Sequence, residues 1–94
     1  MNTILISYDL PLGTEPRYYT DVSNLIKNNS ITWAKPLESV FIISTNKTSF
    51  EMRDEIKLIT PINSKILVVD IINGSGWATS NISTAVTDWM HKNI

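Results

Sequence analysis

The chain has 94 residues, of which 43% are hydrophobic and 18% are charged, a composition typical of one folded globular domain. Its formal net charge is -1 and its pI is about 5.7, which argues against sequence-independent binding of long duplexes through a broad basic surface. No cysteine is present and His91 is the single histidine, so disulfides, thiolate metal sites and cysteine nucleophiles are excluded and a catalytic triad is not expected.

Hydrophobic periodicity predicts seven elements of secondary structure in one domain, residues 1–94, that ends in a helical tail at 81–92. In chain order they are a strand at 3–9, a helix at 16–28, a short strand at 31–34, a strand at 38–45, a helix at 48–59, a strand at 65–72 and the tail helix. Pro36 cannot donate to a strand ladder, so the first strand of the central hairpin is expected at a sheet edge or corner. Thr48 and Glu51 have the spacing of a capping box at the start of the second helix.

The order of these elements predicts an α+β, ferredoxin-like βαββαβ fold, with two helices on one face of a four-stranded antiparallel sheet and an added C-terminal helix. Both alternations of the predicted strands are largely apolar, for example Ile4 and Ile6 against Leu5. Two helices cover only one face, and soluble monomers seldom expose a large apolar patch. We therefore expect the second face to be covered by the C-terminal helix or, as the favoured solution, by a second copy in a homodimer.

Two stretches resemble a known superfamily. Ser7-Tyr8-Asp9-Leu10 at the end of the first strand, together with Trp33-Ala34-Lys35-Pro36-Leu37-Glu38-Ser39-Val40 in the hairpin, is similar to short bacterial and phage proteins described as SinR-like. The arrangement also resembles the small CRISPR-associated nucleases that partner the spacer integrase, and the virulence-associated protein D ribonucleases. The resemblance spans roughly residues 3–72.

The resemblance implies a metal-dependent nuclease site. In the nucleases of that superfamily the aspartate that matches Asp9 meets its symmetry mate across a dimer interface and holds a divalent cation, Mg²⁺ or Mn²⁺. A hard cation prefers carboxylate oxygens, makes bound water more acidic and neutralises charge on a scissile phosphate. The present chain departs from the nucleases in its acidic pI and in its two arginines, Arg17 and Arg53.

The residues themselves leave alternatives at each candidate position. Asp9 is either a turn residue that hydrogen-bonds to the following backbone or the ligand of a metal or phosphate site. Tyr8 shares the alternation of Ile4, so it is expected to pack in the core with its hydroxyl at the surface. Trp33 either stacks on a base while Lys35 contacts a phosphate, or closes the end of the core while Lys35 is solvated.

Three further residues complete the set of candidates. Ser39 in the hairpin could orient Lys35 or a water molecule, and Arg17 could contact substrate. Asp70 shares the alternation of Ile66 and Val68 and is placed on the same open side as Asp9, either in the site or paired with a lysine. Trp77 and Trp89 are interpreted as anchors of the tail.

Three functions follow as hypotheses. The first is a homodimeric metal-dependent nuclease, or a descendant of one, that acts on RNA or DNA through Asp9, with Trp33, Lys35 and Arg17 on the substrate. The second is a non-enzymatic binder of nucleic acid or of a signalling nucleotide in bacterial or phage defence. The third is a protein-interaction module. The N-terminal apolar run is too short to span a bilayer, so a cytoplasmic protein without membrane contact is expected.

Overall fold

The computed structural model describes residues 1–94 and contains four strands and three helices. They are β1 (Asn2–Asp9), α1 (Pro16–Asn28), β2 (Thr32–Leu37), β3 (Val40–Thr45), α2 (Ser49–Ile59), β4 (Lys65–Ile71) and α3 (Thr84–Asn93). The strands form one antiparallel sheet in the order β2-β3-β1-β4. The predicted α+β class, the seven elements and the antiparallel four-stranded sheet are confirmed.

The helix starts follow from local chemistry that the sequence displays. Pro16 occupies the first turn of α1, where a missing N–H removes no helical hydrogen bond. The predicted capping box opens α2: the Thr48 hydroxyl accepts the Glu51 N–H and the Glu51 carboxylate accepts the Thr48 N–H, both at 3.1 Å. The backbone hydrogen bond from Thr48, reinforced by its side chain, lowers the pKa of the Glu51 carboxyl below its ordinary value.

Three boundaries differ from the predicted ones by two residues or more. The first hairpin strand continues through Pro36, which is tolerated because β2 is an edge strand, and the second begins only at Val40 after a turn. The tail helix begins at Thr84 and not at residue 81. Asn81 has a φ of 60°, which no right-handed helix contains, and the Ser83 side chain caps the helix by accepting the Val86 N–H.

The core lies between the sheet and the helices α1 and α2. Alternate residues of β1 and β3 meet apolar residues of both helices in one cluster, which is formed by Ile4, Ile6, Tyr8, Leu10, Val22, Ile26, Phe41, Ile43, Met52 and Ile56. Successive residues of a strand point to opposite faces, so Thr3, Leu5, Ser7 and Asp9 of β1 lie on the other face of the sheet. The residues directly opposite them in the neighbouring strands share that face. We call this second surface the open face.

The helix α3 covers part of the open face. Trp89 donates its indole Nε1–H to the Thr32 hydroxyl at 2.9 Å, and the Gly74 N–H donates to the Ile94 carbonyl at 3.0 Å. The predicted anchoring of the tail by Trp89 is confirmed, whereas Trp77 packs on His91 of the tail itself, with ring centroids 4.7 Å apart, so its role as an anchor on the body stays a prediction. The open-face residues beneath this helix, Ala34, Ile42 and Ser44, are buried.

The rest of the open face is uncovered. Three apolar residues of the open face are exposed: Leu37 at 59%, Leu67 at 58% and Val69 at 44%. In the ladder Leu67 lies opposite Ser7, Ser7 lies opposite Val40, and Val40 lies opposite Leu37. These four residues form a row across the sheet that meets β1 two residues before Asp9, on the same face. Because all of them except Ser7 are apolar, we call the set the apolar row: Leu37, Val40, Ser7 and Leu67.

No helix of the chain combines the length and the apolar character that crossing a bilayer requires.

Thr45 links the end of β3 to the end of α1 and provides a test of this packing. Thr45 is fully buried. Its hydroxyl donates to the Asn29 carbonyl at 2.7 Å and accepts the Lys47 N–H at 3.2 Å. We expect Thr45→Val to lower the free energy of unfolding by about 1–3 kcal/mol, because two backbone groups lose their partner. Urea denaturation measures the change.

The matched control is Thr20→Val, an exposed threonine of α1, for which we expect a change within about 0.5 kcal/mol. Equal free energies of unfolding for the two variants would contradict the assigned role of Thr45.

Candidate functional site

Asp9 ends β1 with its side chain exposed on the open face, directly opposite Lys65 of β4. The carboxylate makes no hydrogen bond within the chain and forms none of its three ion pairs. The following turn is closed without it, since the backbone N–H and the hydroxyl of Thr14 both donate to the Pro11 carbonyl. The interpretation of Asp9 as a turn-capping residue is therefore wrong, and its carboxylate is free to meet an external group.

A cleft of about 500 Å³ lies beside Asp9 at this end of the sheet. Its walls come from Lys65, Tyr19, Asn63 and the loop at residues 10–14. One carboxylate, one ammonium group and several hydroxyl and amide groups therefore face a common space. The chain contains no group of three or more His, Asp or Glu residues that could hold a metal ion.

A second cleft of about 390 Å³ adjoins the hairpin between β2 and β3. Its lining consists of Tyr8, Tyr19, Lys35, Glu38 and Ser39. The Tyr8 N–H donates to the Ser39 carbonyl at 3.2 Å, which fixes the hairpin turn against the end of β1. The structure thus brings together three predicted binding residues, namely Tyr8, Lys35 and Ser39.

Tyr8 packs in the core as its alternation predicts, with 5% of the residue exposed. Its ring lies 6.3 Å from the Tyr19 ring, at an interplanar angle of 42°. Burial, and secondarily the neighbouring Tyr19 phenol, raise the pKa of Tyr8 above its ordinary value, so the hydroxyl keeps its proton at neutral pH. The Tyr8 hydroxyl makes no hydrogen bond within the chain. Every fully buried polar side-chain atom does have a partner, so this hydroxyl is accessible and faces the cleft, where it can donate a hydrogen bond.

Lys35 is exposed and free of any ion pair, with its Nζ 5.4 Å from the centroid of the Phe41 ring. Glu38 lies in the same cleft but does not pair with it. The ammonium group therefore rests at the edge of the core and can turn toward an anion in the cleft.

Trp33 lies outside both clefts. Its ring meets Phe41 edge-on at 5.8 Å, and the Lys27 Nζ lies 4.6 Å from the ring centroid. The indole packs beside Phe41 with a cation of α1 near its ring, and 41% of the residue remains exposed. Both interpretations of Trp33, stacking on a base and closing the end of the core, therefore stay predictions.

Arg17 also lines neither cleft. Its guanidinium pairs with Glu15 at 2.9 Å and donates to the Tyr18 hydroxyl at 3.2 Å, above whose ring it lies at 4.8 Å. The expected position of Asp70 is wrong: it lies opposite Ile4, on the alternation that faces the helices, near the start of β1. Asp9 and Asp70 consequently occupy opposite faces and opposite ends of the sheet.

Sequence reasoning missed two residues of this site, Tyr19 and Lys65. The helical spacing that placed Tyr18 toward the core left its neighbour Tyr19 without a role. The position of Lys65 depends on the β1–β4 register, which the sequence does not specify. Lys65 could have been found from its place at the start of the last strand, because in an antiparallel pair the start of one strand lies beside the end of the other.

Comparison with known proteins adds no family to this geometry. No protein-family model matches the chain, and no curated protein sequence is significantly similar to it. Function is therefore inferred from the resemblance described above and from the arrangement of the side chains in the two clefts, namely Asp9, Lys65, Tyr8, Tyr19 and Lys35.

Proposed function

We propose that the protein is a homodimeric nucleic-acid-handling protein in which Asp9 of each chain contributes to one divalent cation site, as in the CRISPR-associated and virulence-associated nucleases it resembles. The observation that carries the proposal is the free carboxylate of Asp9 at the meeting point of a cleft and an uncovered apolar surface. The reaction is hydrolysis of a phosphodiester bond in RNA or DNA.

The strand order supports the fold that this proposal requires. In a ferredoxin-like βαββαβ domain the first strand lies at the centre, between the third and the fourth strands, and the helices share one face. The order β2-β3-β1-β4 and the joint packing of α1 and α2 on the core agree with that description.

The uncovered part of the open face supports a dimer. The helix α3 shields the open face around Ile42 and Ser44, whereas Leu37, Leu67 and Val69 remain exposed. A twofold partner buries such a patch against itself. The apolar row meets β1 at Ser7, two residues before Asp9 on the same face. Pairing of two chains through this row therefore brings the two Asp9 residues to the same interface.

The donor set of one chain is too small for a magnesium or manganese site. Asp9 offers one carboxylate beside the Lys65 ammonium group, and no other acidic residue lines that cleft. Two symmetry-related Asp9 residues fit a hard cation that retains several waters. When bound, the cation supplies charge neutralisation at the phosphate and a more acidic water.

The other residues of the site bind and orient the substrate. Lys65 and Lys35 are unpaired ammonium groups that can contact phosphate oxygens from the two clefts. The Tyr8 hydroxyl, which is neutral, can donate a hydrogen bond to the substrate. Ser39 is held beside Tyr8 because its backbone carbonyl accepts the Tyr8 N–H.

A non-enzymatic binder of nucleic acid or of a signalling nucleotide is the second candidate. The observation that favours it is the scarcity of proton acceptors, since Glu38 is the one carboxylate besides Asp9 in the two clefts. In this case the same lysines and tyrosines bind the ligand and no bond is broken.

Asp9→Asn tests the nuclease. We expect the wild type to cleave labelled RNA or DNA in the presence of Mg²⁺ or Mn²⁺, and the variant to lose at least about 100-fold in rate, because the amide does not replace an anionic ligand. Asp70→Asn, at the opposite end of the sheet, is the control and should retain the wild-type rate. Equal cleavage by wild type and Asp9→Asn, or no cleavage by the wild type, rules out the hydrolytic role.

Leu67→Glu tests the dimer. Light scattering coupled to size exclusion should give twice the mass of the chain for the wild type and a single-chain mass for the variant, since a buried unpaired carboxylate opposes association. Leu58→Glu changes an exposed leucine on α2 and should leave the mass unchanged. A wild type of single-chain mass would remove the shared cation site.

A further inference from the structure

Tyr19 forms a wall of both clefts. It lines the space of about 500 Å³ beside Asp9 and the space of about 390 Å³ beside Lys35. No other residue contributes to both of these linings. The two clefts are therefore neighbours that an aromatic side chain separates.

The surroundings of Tyr19 hold its ring in place and leave it accessible. The residue belongs to the first turns of α1, and its ring leans on the buried Tyr8 ring at 6.3 Å. It is 37% exposed, and its hydroxyl makes no hydrogen bond within the chain. A supported aromatic ring with an accessible surface is the usual platform for an unpaired nucleobase.

Each cleft also contains one lysine. Lys65 lies on the Asp9 side of Tyr19 and Lys35 lies on the hairpin side, and neither forms an ion pair. An aromatic ring with an ammonium group on either side matches a nucleotide whose base stacks while its two flanking phosphates are neutralised.

We propose that a single-stranded segment of RNA or DNA crosses the ridge formed by Tyr19, with one base stacked on that ring and the adjoining phosphates on Lys35 and Lys65. This inference rests on the proposed function and specifies its substrate class. A duplex does not fit, because its bases are stacked on one another and two lysines on a chain of net charge -1 provide no extended basic track.

The test measures binding without cleavage, by fluorescence anisotropy in EDTA at low salt, with labelled U8 and dT8 strands and an eight-base-pair duplex as probes. The wild type should bind both single strands more tightly than the duplex. Tyr19→Ala should weaken single-strand binding about 5- to 150-fold, the range that one lost base stack produces, while Tyr19→Phe keeps the ring and the affinity.

Two lysine variants test the phosphate contacts. Lys35→Ala and Lys65→Ala should each weaken binding and reduce the slope of log affinity against log salt by about 0.7 per lost contact. Phe50→Ala removes an exposed aromatic from α2 and Lys57→Ala removes an exposed lysine there, so both controls should bind as the wild type does. Circular dichroism confirms that each variant is folded.

The outcomes separate the inference from the function on which it rests. If the wild type binds or cleaves nucleic acid and Tyr19→Ala does so equally well, or if the duplex is preferred, the ridge is overturned and the proposed function stands. If the wild type neither binds these probes in EDTA nor cleaves them with Mg²⁺ or Mn²⁺, both are overturned.

Discussion

β1 lies at the centre of the sheet, between β3 and β4. Each side of this strand is paired, and its last residues are held between Lys65 in one ladder and the carbonyl of Ser39 in the hairpin turn. Since successive side chains alternate across a sheet, Tyr8 enters the core and Asp9 faces the other way. One short segment thus delivers a buried phenol to one cleft and an unpaired carboxylate to the other.

Partial coverage by α3 gives the open face two different halves. Near the start of β1 the tail buries polar and apolar residues under the hydrogen bond from Trp89 to Thr32. Near Asp9 the same face keeps exposed Leu37 and Leu67. The tail covers one half of the open face, and the half that it leaves exposed, which the proposed second copy would cover, is the half that adjoins Asp9.

The sequence predicted the elements and the core because periodicity and capping are local properties. The helix at 16–28, the capping box at Thr48 and the burial of Tyr8 could all be read from neighbouring residues. The site was predicted in part, because Tyr8, Lys35 and Ser39 lie close in the hairpin and first strand. Lys65 and the true position of Asp70 depend on the β1–β4 register, and the engagement of Trp33 by Lys27 depends on how α1 crosses the sheet, neither of which a local pattern encodes.

If Asp9 binds a cation only when two chains meet, the stoichiometry of cation binding must be one ion for each dimer. Equilibrium dialysis against Mn²⁺, with the wild type and with Asp9→Asn at concentrations where both are dimers, measures that ratio. We expect one tightly bound ion for every two wild-type chains and none for the variant. One ion for each chain, or undiminished binding by the Asp9→Asn dimer, would contradict it.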